Sequence, residues 1–361
     1  METVHRVHVG DSRSLSGIGD DSVELVVTSP PYPMIELWDD QFAAFDPAIG
    51  AALEDGRGDD AFEAMHELLD SVWAEVQRVL VDGGIACINV GDATRTLADS
   101  FRVYQNHVRI VEAFERLGFD PLPEILWRKP ANSAAKFMGS GMVPPNAYVT
   151  LEHEYVLVFR NGSSRRSFEP GDDDRYASAY FWEERNRWFS DVWTDIRGEL
   201  QSLDDDDLRE RAAAYPVELP VRLINMYSIY GDTVLDPFWG TGTTTIAAMI
   251  AGRNSVGKEY DEGFRAAFHD RAADVPSYSR TVAARRLVDH EQFVQKRREA
   301  GDLPAYDAEH YSFPVVTKQE RSLRLYTVST VEHRPDEHEY RVSHDPVTAV
   351  DDVRDALEAP E

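Results

Sequence analysis

Cysteine is nearly absent: Cys87 is the only one in 361 residues. That excludes an intramolecular disulfide and any cysteine-based zinc site. Its apolar setting, Ile85-Ala86-Cys87-Ile88, marks a buried inert thiol and not a nucleophile. Lysine is scarce, at five of the 37 basic residues. No apolar run reaches the length of a membrane-spanning helix, and Met1 to Arg6 carries no signal pattern. A cytoplasmic protein without a membrane partner is expected. A basic surplus is missing too, since 65 acidic residues give a net charge of −28. A nucleic-acid binder normally shows a basic face. Two readings of the acidity stand. One is a surface adapted to concentrated salt, which screens charge within about 3 Å at 1 M. The other is an enzyme that avoids acidic substrates. In salt, counterion release contributes little to nucleic-acid binding, and base contacts, shape and stacking must replace it.

What the chain does have is alternation of short apolar runs with helical patterns. Val4 to Val9 and Val23 to Val27 read as strands. Phe62 to Leu80 has apolar residues at helical spacing, with Gly83-Gly84 as its stop. Ile85 to Val90 is a buried strand, Phe101 to Leu117 a helix, and Pro123 to Trp127 and Tyr155 to Phe159 two more strands. Asn161 to Ala214 is polar and irregular, with aromatic clusters around Phe181, Trp188 and Trp193 and a solvated acidic run, Asp204 to Asp207. Regular pattern returns with a helix in Pro216 to Tyr230, a strand at Thr233 to Leu235, and a helix over Thr243 to Ala251. A strand ending at Glu259 and a helix over Glu262 to Ala273 follow. The tail from Pro276 holds one helix, Thr281 to Glu299, and strands at Leu323 to Val331 and Tyr340 to Val342. Strands alternating with helices predict an α/β fold, a doubly wound and mostly parallel sheet covered on both faces. His333, His338 and His344 match no ligand spacing and read as surface residues, and no metal is expected.

Two motifs carry chemistry. In Asp236-Pro237-Phe238-Trp239-Gly240-Thr241-Gly242-Thr243-Thr244 a strand enters a glycine turn and a helix begins. The glycines allow close backbone approach, and the helix start offers free amides. The lysine of a phosphate loop is missing. Glu259 ends the next strand about 20 residues on, the spacing at which an acid takes ribose hydroxyls. Together these fit S-adenosylmethionine better than a dinucleotide. The second motif is Ser29-Pro30-Pro31-Tyr32, directly after a strand. Its prolines stiffen the turn and fix the Ser29 hydroxyl and Pro30 carbonyl as acceptors. Two acceptors aimed at an exocyclic amine localise its lone pair for attack on a methyl group. Tyr32 offers a face for a flipped base, worth about 1–3 kcal/mol, and flipping costs a few kcal/mol.

On these residues the chain resembles the beta group of amino DNA methyltransferases, in which the catalytic motif precedes the target-recognition region and the cofactor motif follows. The resemblance covers most of residues 4 to 272. It implies a seven-stranded Rossmann-like methyltransferase sheet in permuted order, with the Asp236 strand beside the Ser29 strand. It implies cofactor contacts from Asp11, Pro216, Leu219, Asp236, Pro237, Phe238, Gly240, Gly242, Thr243, Thr244 and Glu259, and catalysis by Ser29, Pro30, Pro31 and Tyr32. Trp127 to Pro130 and Glu152 to Phe159 also resemble family segments. Ser in first place of the catalytic motif is the N4-cytosine version. N6-adenine, RNA or a glutamine amide are the alternative acceptors, and a cofactor-sensing DNA-binding protein is the reading from another class. Acidity combined with this motif set resembles haloarchaeal modification methylases of the CTAG type.

The implied partners are double-stranded DNA, with a separate restriction endonuclease and a second copy of the chain as further candidates. Lys129, Lys136, Arg165, Arg166, Arg285 and Arg286 are candidate DNA contacts. The expected division is a catalytic half at 1–160, a target-recognition region at 161–214 aided by the Gly139 to Pro145 loop, a cofactor half at 215–275 and an extension at 276–361.

Overall fold

The computed structural model describes residues 1–129, 138–139, 142–196, 215–335 and 338–357. In chain order the strands are β1 (Glu2–Val9), β2 (Val23–Thr28), β3 (Leu80–Val90), β4 (Ala93–Leu97), β5 (Ser100–Tyr104), β6 (Phe119–Arg128), β7 (Met138–Gly139) and β8 (Ala147–Tyr148). They continue with β9 (His153–Asn161), β10 (Val192–Trp193), β11 (Thr233–Asp236), β12 (Asn254–Glu259), β13 (Tyr306–Asp307), β14 (Pro314–Val315), β15 (Tyr326–Arg334) and β16 (Glu339–Pro346).

The main sheet runs β10-β6-β9-β3-β2-β11-β12-β1-β16-β15. Its middle seven strands, β6 to β1, are the sheet expected from sequence. β3, β2, β11, β12 and β1 are mutually parallel, and β9 runs antiparallel between β3 and β6. The late strand β11 lies beside the early strand β2, with Val234 opposite Leu25 and Leu235 opposite Val26. The C-terminal ends of β1, β2, β11 and β12 therefore share one edge, at the switch point where open α/β sheets bind ligands.

Side-chain alternation divides the core into two layers. Leu25, Val27, Cys87, Val156 and Val158 face the helices Glu218–Tyr227 and Thr243–Ala251. Val26, Ala86, Ile88, Leu157 and Phe159 face the helices Gly58–Val79 and Asn106–Arg116. Both faces are covered, which is why β2 and β3 read as near-continuous apolar runs.

Four expectations change. Gly83-Gly84 do not end the helix, which stops at Val79; they lie inside β3, where Gly83 takes φ +76° and the pairing with β2 shifts register. The helix expected from Phe101 starts only at Asn106, because the preceding residues form the β4–β5 hairpin, whose turn residues Ala98 and Asp99 take φ +46° and +65°. The stretch after Asn161, up to Ile196, is polar but folded onto the core by its aromatics. Phe181, Trp188, Trp193 and Ile196 are buried, and β10 adds to the sheet edge beside β6. The acidic run Asp204 to Asp207 falls outside the described residues. His344 is not a surface residue; it is buried with its Nε2 2.9 Å from the Thr3 hydroxyl.

The tail extends the same sheet, since β16 pairs antiparallel with β1 and β15 with β16. No helix among the described residues is long and apolar enough to cross a membrane.

Candidate active site

A cavity of about 680 Å³ opens at the C-terminal ends of β1, β2, β11 and β12, within the usual size of a small-molecule site. It is lined by Asp11 after β1, the whole Ser29–Tyr32 turn after β2, Asp236 to Thr241 and Thr243 after β11, and Lys258 to Glu262 at the end of β12. Both sequence motifs thus share one space, although about two hundred residues separate them.

Asp236 closes β11 in a buried position. Its Oδ1 accepts from the Thr28 hydroxyl at 2.6 Å and from the Phe238 amide at 3.1 Å. Burial raises its pKa to about 6 despite these bonds. Glu259 closes β12, and each carboxylate oxygen accepts a backbone amide: Gly240 at 2.7 Å and Asp261 at 2.8 Å. Burial raises its pKa as well, against the pull of those amides. The carboxylate is clamped in one orientation, and its remaining lone pairs can accept hydroxyls.

The two glycines of the turn differ in role. Gly240, at φ +51°, faces open space, with Phe238 O at 3.9 Å the only atom near a hypothetical Cβ. Gly242, at φ +76°, is packed: a Cβ there would lie 2.3 Å from the Phe268 ring. Arg271 holds the turn from behind by donating to Thr241 O at 2.5 Å. Thr244 and Gly242 do not line the cavity. Thr244 instead bonds the Tyr215 hydroxyl at 2.5 Å and Val27 O at 3.1 Å. Pro216 and Leu219 are also buried outside the cavity, and Tyr215 is the wall residue of that segment.

Asp11 is tied to Arg13 by its side chain at 2.6 and 2.9 Å and by its backbone amide at 2.8 Å. Partial burial opposes ionisation there, yet those bonds and the Arg13 charge hold its pKa below the ordinary value. The outer wall is aromatic. Arg13 lies 4.6 Å over the Phe45 ring, and Phe45 meets Tyr260 edge-on at 5.2 Å.

At the catalytic turn, Ser29 Oγ lies 2.9 Å from the Tyr32 hydroxyl. The Tyr32 hydroxyl donates to Glu154 Oε2 at 3.2 Å and accepts from Asn89 Nδ2 at 3.0 Å. Burial first, and the Glu154 charge second, raise the Tyr32 pKa well above its usual value. The ring lies against Gly91, where a Cβ would come within 3.2 Å of Tyr32 Cε2. Thr28 opens the catalytic motif and Tyr215 the segment before the cofactor strand, whereas Glu154 and Asn89 come from β9 and β3, away from both. For Glu154 the segment Glu152 to Phe159 gave a hint.

The candidate DNA contacts scatter. Lys129 follows β6 near the site and bonds Glu154 Oε1 at 2.8 Å. Lys136 lies outside the described residues. Arg166 is spent on a bidentate bond to Asp232 at 2.7 and 2.8 Å, just before β11 begins, at the sheet end opposite the cavity. Exposed Arg165 sits beside it. Arg286 is bonded to buried Glu184 at 2.6 and 2.9 Å, over Trp188. Only Arg285 of that pair is exposed. Hence Arg166 and Arg286 are structural, because a guanidinium already paired with a buried acid is not free for a phosphate.

The model of a family described as N6/N4 DNA methylase matches residues 23–270. Type II methyltransferase M.MthZI of Methanothermobacter thermautotrophicus is 50% identical over 329 residues, covering 90% of this chain and 91% of that protein. Type II methyltransferase M.MjaI of Methanocaldococcus jannaschii is 50% identical over 276 residues, covering 73% and 90%. A putative DNA modification methylase of Thermus thermophilus, TTHA0409, has a crystal structure complexed with S-adenosyl-L-methionine. It superposes with a TM-score of 0.59 at 35% identity, covering 75% of this chain and 95% of that one.

Proposed function

The chain belongs to the N6/N4 DNA methylase family, and from that premise we propose that it transfers a methyl group from S-adenosyl-L-methionine to cytosine N4 of a base flipped from double-stranded DNA. One observation carries the reading: the Ser29–Tyr32 turn and the Gly240–Glu259 cradle line one cavity.

The residues present fit the cofactor. Glu259 is oriented by two amides and would take ribose hydroxyls. Gly240 leaves backbone accessible, and Phe238 with the outer aromatic wall suits an adenosine. Asp11, on the wall of the same cavity, would take the adenine edge. The donor supplies a methyl already electrophilic on a sulfonium, so no covalent enzyme intermediate is needed. The chain's own work is orientation. Ser29 Oγ and the Pro30 carbonyl accept the two amine hydrogens and draw the nitrogen lone pair out of the ring. Tyr32 and the wall around it hold the base. Serine in first place of the turn favours cytosine, and Lys129 is the candidate phosphate contact nearest the site.

The test is a labelled-cofactor assay on duplex DNA over a range of salt, with a CTAG-type palindrome as the first substrate. Nuclease digestion and mass spectrometry then identify the product. N4-methylcytosine supports the reading, and N6-methyladenine replaces it. Methyl transfer unchanged in Ser29→Ala and Tyr32→Ala removes the mechanism.

A further inference from the structure

Hydrogen bonds around Tyr32 run in only one consistent direction. Its hydroxyl has three polar neighbours: Ser29 Oγ at 2.9 Å, Asn89 Nδ2 at 3.0 Å and Glu154 Oε2 at 3.2 Å. A carboxylate only accepts and an amide NH₂ only donates. Tyr32 therefore gives its one proton to Glu154 and accepts from Asn89. Its oxygen then also accepts from Ser29, which spends the only hydroxyl proton Ser29 has. Both Ser29 lone pairs stay available to an amine in the cavity. The far end is equally fixed, since Glu154 also accepts from Asn89 Nδ2 at 2.7 Å and Lys129 Nζ at 2.8 Å. Asn89 is only 2% exposed, and its Oδ1 has no hydrogen-bond partner. An unpaired buried acceptor costs about 1–3 kcal/mol, a cost the fold tolerates where the amide group is committed to Tyr32 and Glu154.

We propose that Glu154 is the positioning residue and terminal proton acceptor of the methyl-transfer site, acting on the target amine through Tyr32 and Ser29. This rests on the function proposed above. As the amine nitrogen bonds the methyl carbon, the carbon–sulfur bond breaks and its electron pair stays on sulfur. The nitrogen then carries one proton too many. That proton passes to Ser29 Oγ, while Ser29 gives its own to Tyr32 Oη and Tyr32 gives its own to Glu154 Oε2. The positive charge that began on sulfur ends as a proton on Glu154. Serine is too weak a base to keep that proton, and the carboxylate at the end of the chain removes the need. Glu154 is 12% exposed and its partner Lys129 47% exposed, so the proton has a route to water.

The titratable or charged groups around Glu154 are Tyr32 on its turn, Arg128 at the end of β6 with Lys129 just after it, Glu152 just before β9 and His153 at its start. Asp92 after β3 and His107 in the helix Asn106–Arg116 are bonded to each other at 2.8 Å. Glu154→Gln keeps a carbonyl acceptor for Tyr32 and cannot take a proton, at the cost of the ion pair with Lys129.

The experiment compares wild type, Glu154→Gln and Tyr32→Phe in single-turnover methylation across pH. Base extrusion is followed in parallel with 2-aminopurine at the target position. Both variants should extrude the base as wild type does and lose about a hundredfold in rate, the usual scale of general acid–base catalysis. The acid limb of the wild-type pH profile should vanish in Glu154→Gln. A Glu154→Gln rate within about threefold of wild type, against the hundredfold scale of such catalysis, overturns the inference alone, as does a slowed variant with its acid limb intact. Absence of wild-type transfer to any base overturns the function itself.

Discussion

The Thr28 hydroxyl donates to the Asp236 carboxylate at 2.6 Å, joining the strand that carries the catalytic turn to the strand that carries the cofactor turn. The bond spans 208 positions of sequence and lies at the switch point of the sheet. It links the two halves of the site directly, so its loss should be felt by both. Thr28→Val, which keeps the shape and removes the hydroxyl, should destabilise the fold by about 1–2 kcal/mol and weaken cofactor binding. Thermal melts and calorimetric titration with the cofactor check both effects.

Asp236 gives a pH-dependent prediction. Burial raises its folded pKa from 3.8 to about 6, so the folded state favours the neutral acid. Its contribution to stability is full below the unfolded pKa and is lost as pH rises through about 6. At neutral pH the buried charge costs roughly 3 kcal/mol, at about 1.4 kcal/mol per pH unit. Asp236→Asn should therefore raise the melting temperature more at about pH 8 than at about pH 5, while impairing cofactor binding. An equal gain at both pH values would contradict the assignment.

The glycine turn separates packing from ligand contact. Gly240→Ala, facing the cavity, should fold at a cost of about 1–2 kcal/mol for its left-handed backbone, yet bind the cofactor at least tenfold more weakly. Gly242→Ala should fail to fold or lose about 3 kcal/mol or more, because its Cβ would sit 2.3 Å from the Phe268 ring. Soluble yield, melting curves and cofactor titration distinguish the two.

Arg286 and Arg285 are neighbours with opposite expectations. The Arg286 side chain is bonded to Glu184, which is 1% exposed. Arg286→Ala should cost about 3–5 kcal/mol by leaving that carboxylate buried without its partner. Exposed Arg285→Ala should leave the melting temperature unchanged. Fluorescence anisotropy with duplex DNA should show no loss of affinity in the folded fraction of Arg286→Ala.

The outer wall offers a cofactor-release test. Phe45 lies between Arg13 and Tyr260 over the cavity. Phe45→Ala should speed cofactor dissociation several-fold, since a ring contact of this kind is worth about 0.5–1.5 kcal/mol. Stopped-flow release of the cofactor measures it, and an unchanged rate would mean that the wall does not cover the bound molecule.

Local pattern alone determined much of this protein. Apolar runs closed by Asp11, Ser29, Asp236 and Glu259 mark strand ends, and strand ends are where an α/β sheet binds ligands, so both motifs were readable as short linear signals. Their order in the chain, through the family resemblance, also implied the permuted arrangement. Only tertiary structure decided which side chains meet. Glu154 and Asn89 reach Tyr32 because β3 lies beside β2 and β9 beside β3, and no periodicity encodes that pairing. The aromatics Phe181, Trp188 and Trp193 stand in a polar stretch without regular pattern, and they are buried by a sheet edge and a helix distant in sequence. Arg166 and Arg286 read as free cations because the acids that hold them, Asp232 and Glu184, are 66 and 102 positions away. Strand ends and turns follow from interactions within a few residues, whereas burial and ion pairing depend on contacts that exist only once the chain has closed on itself.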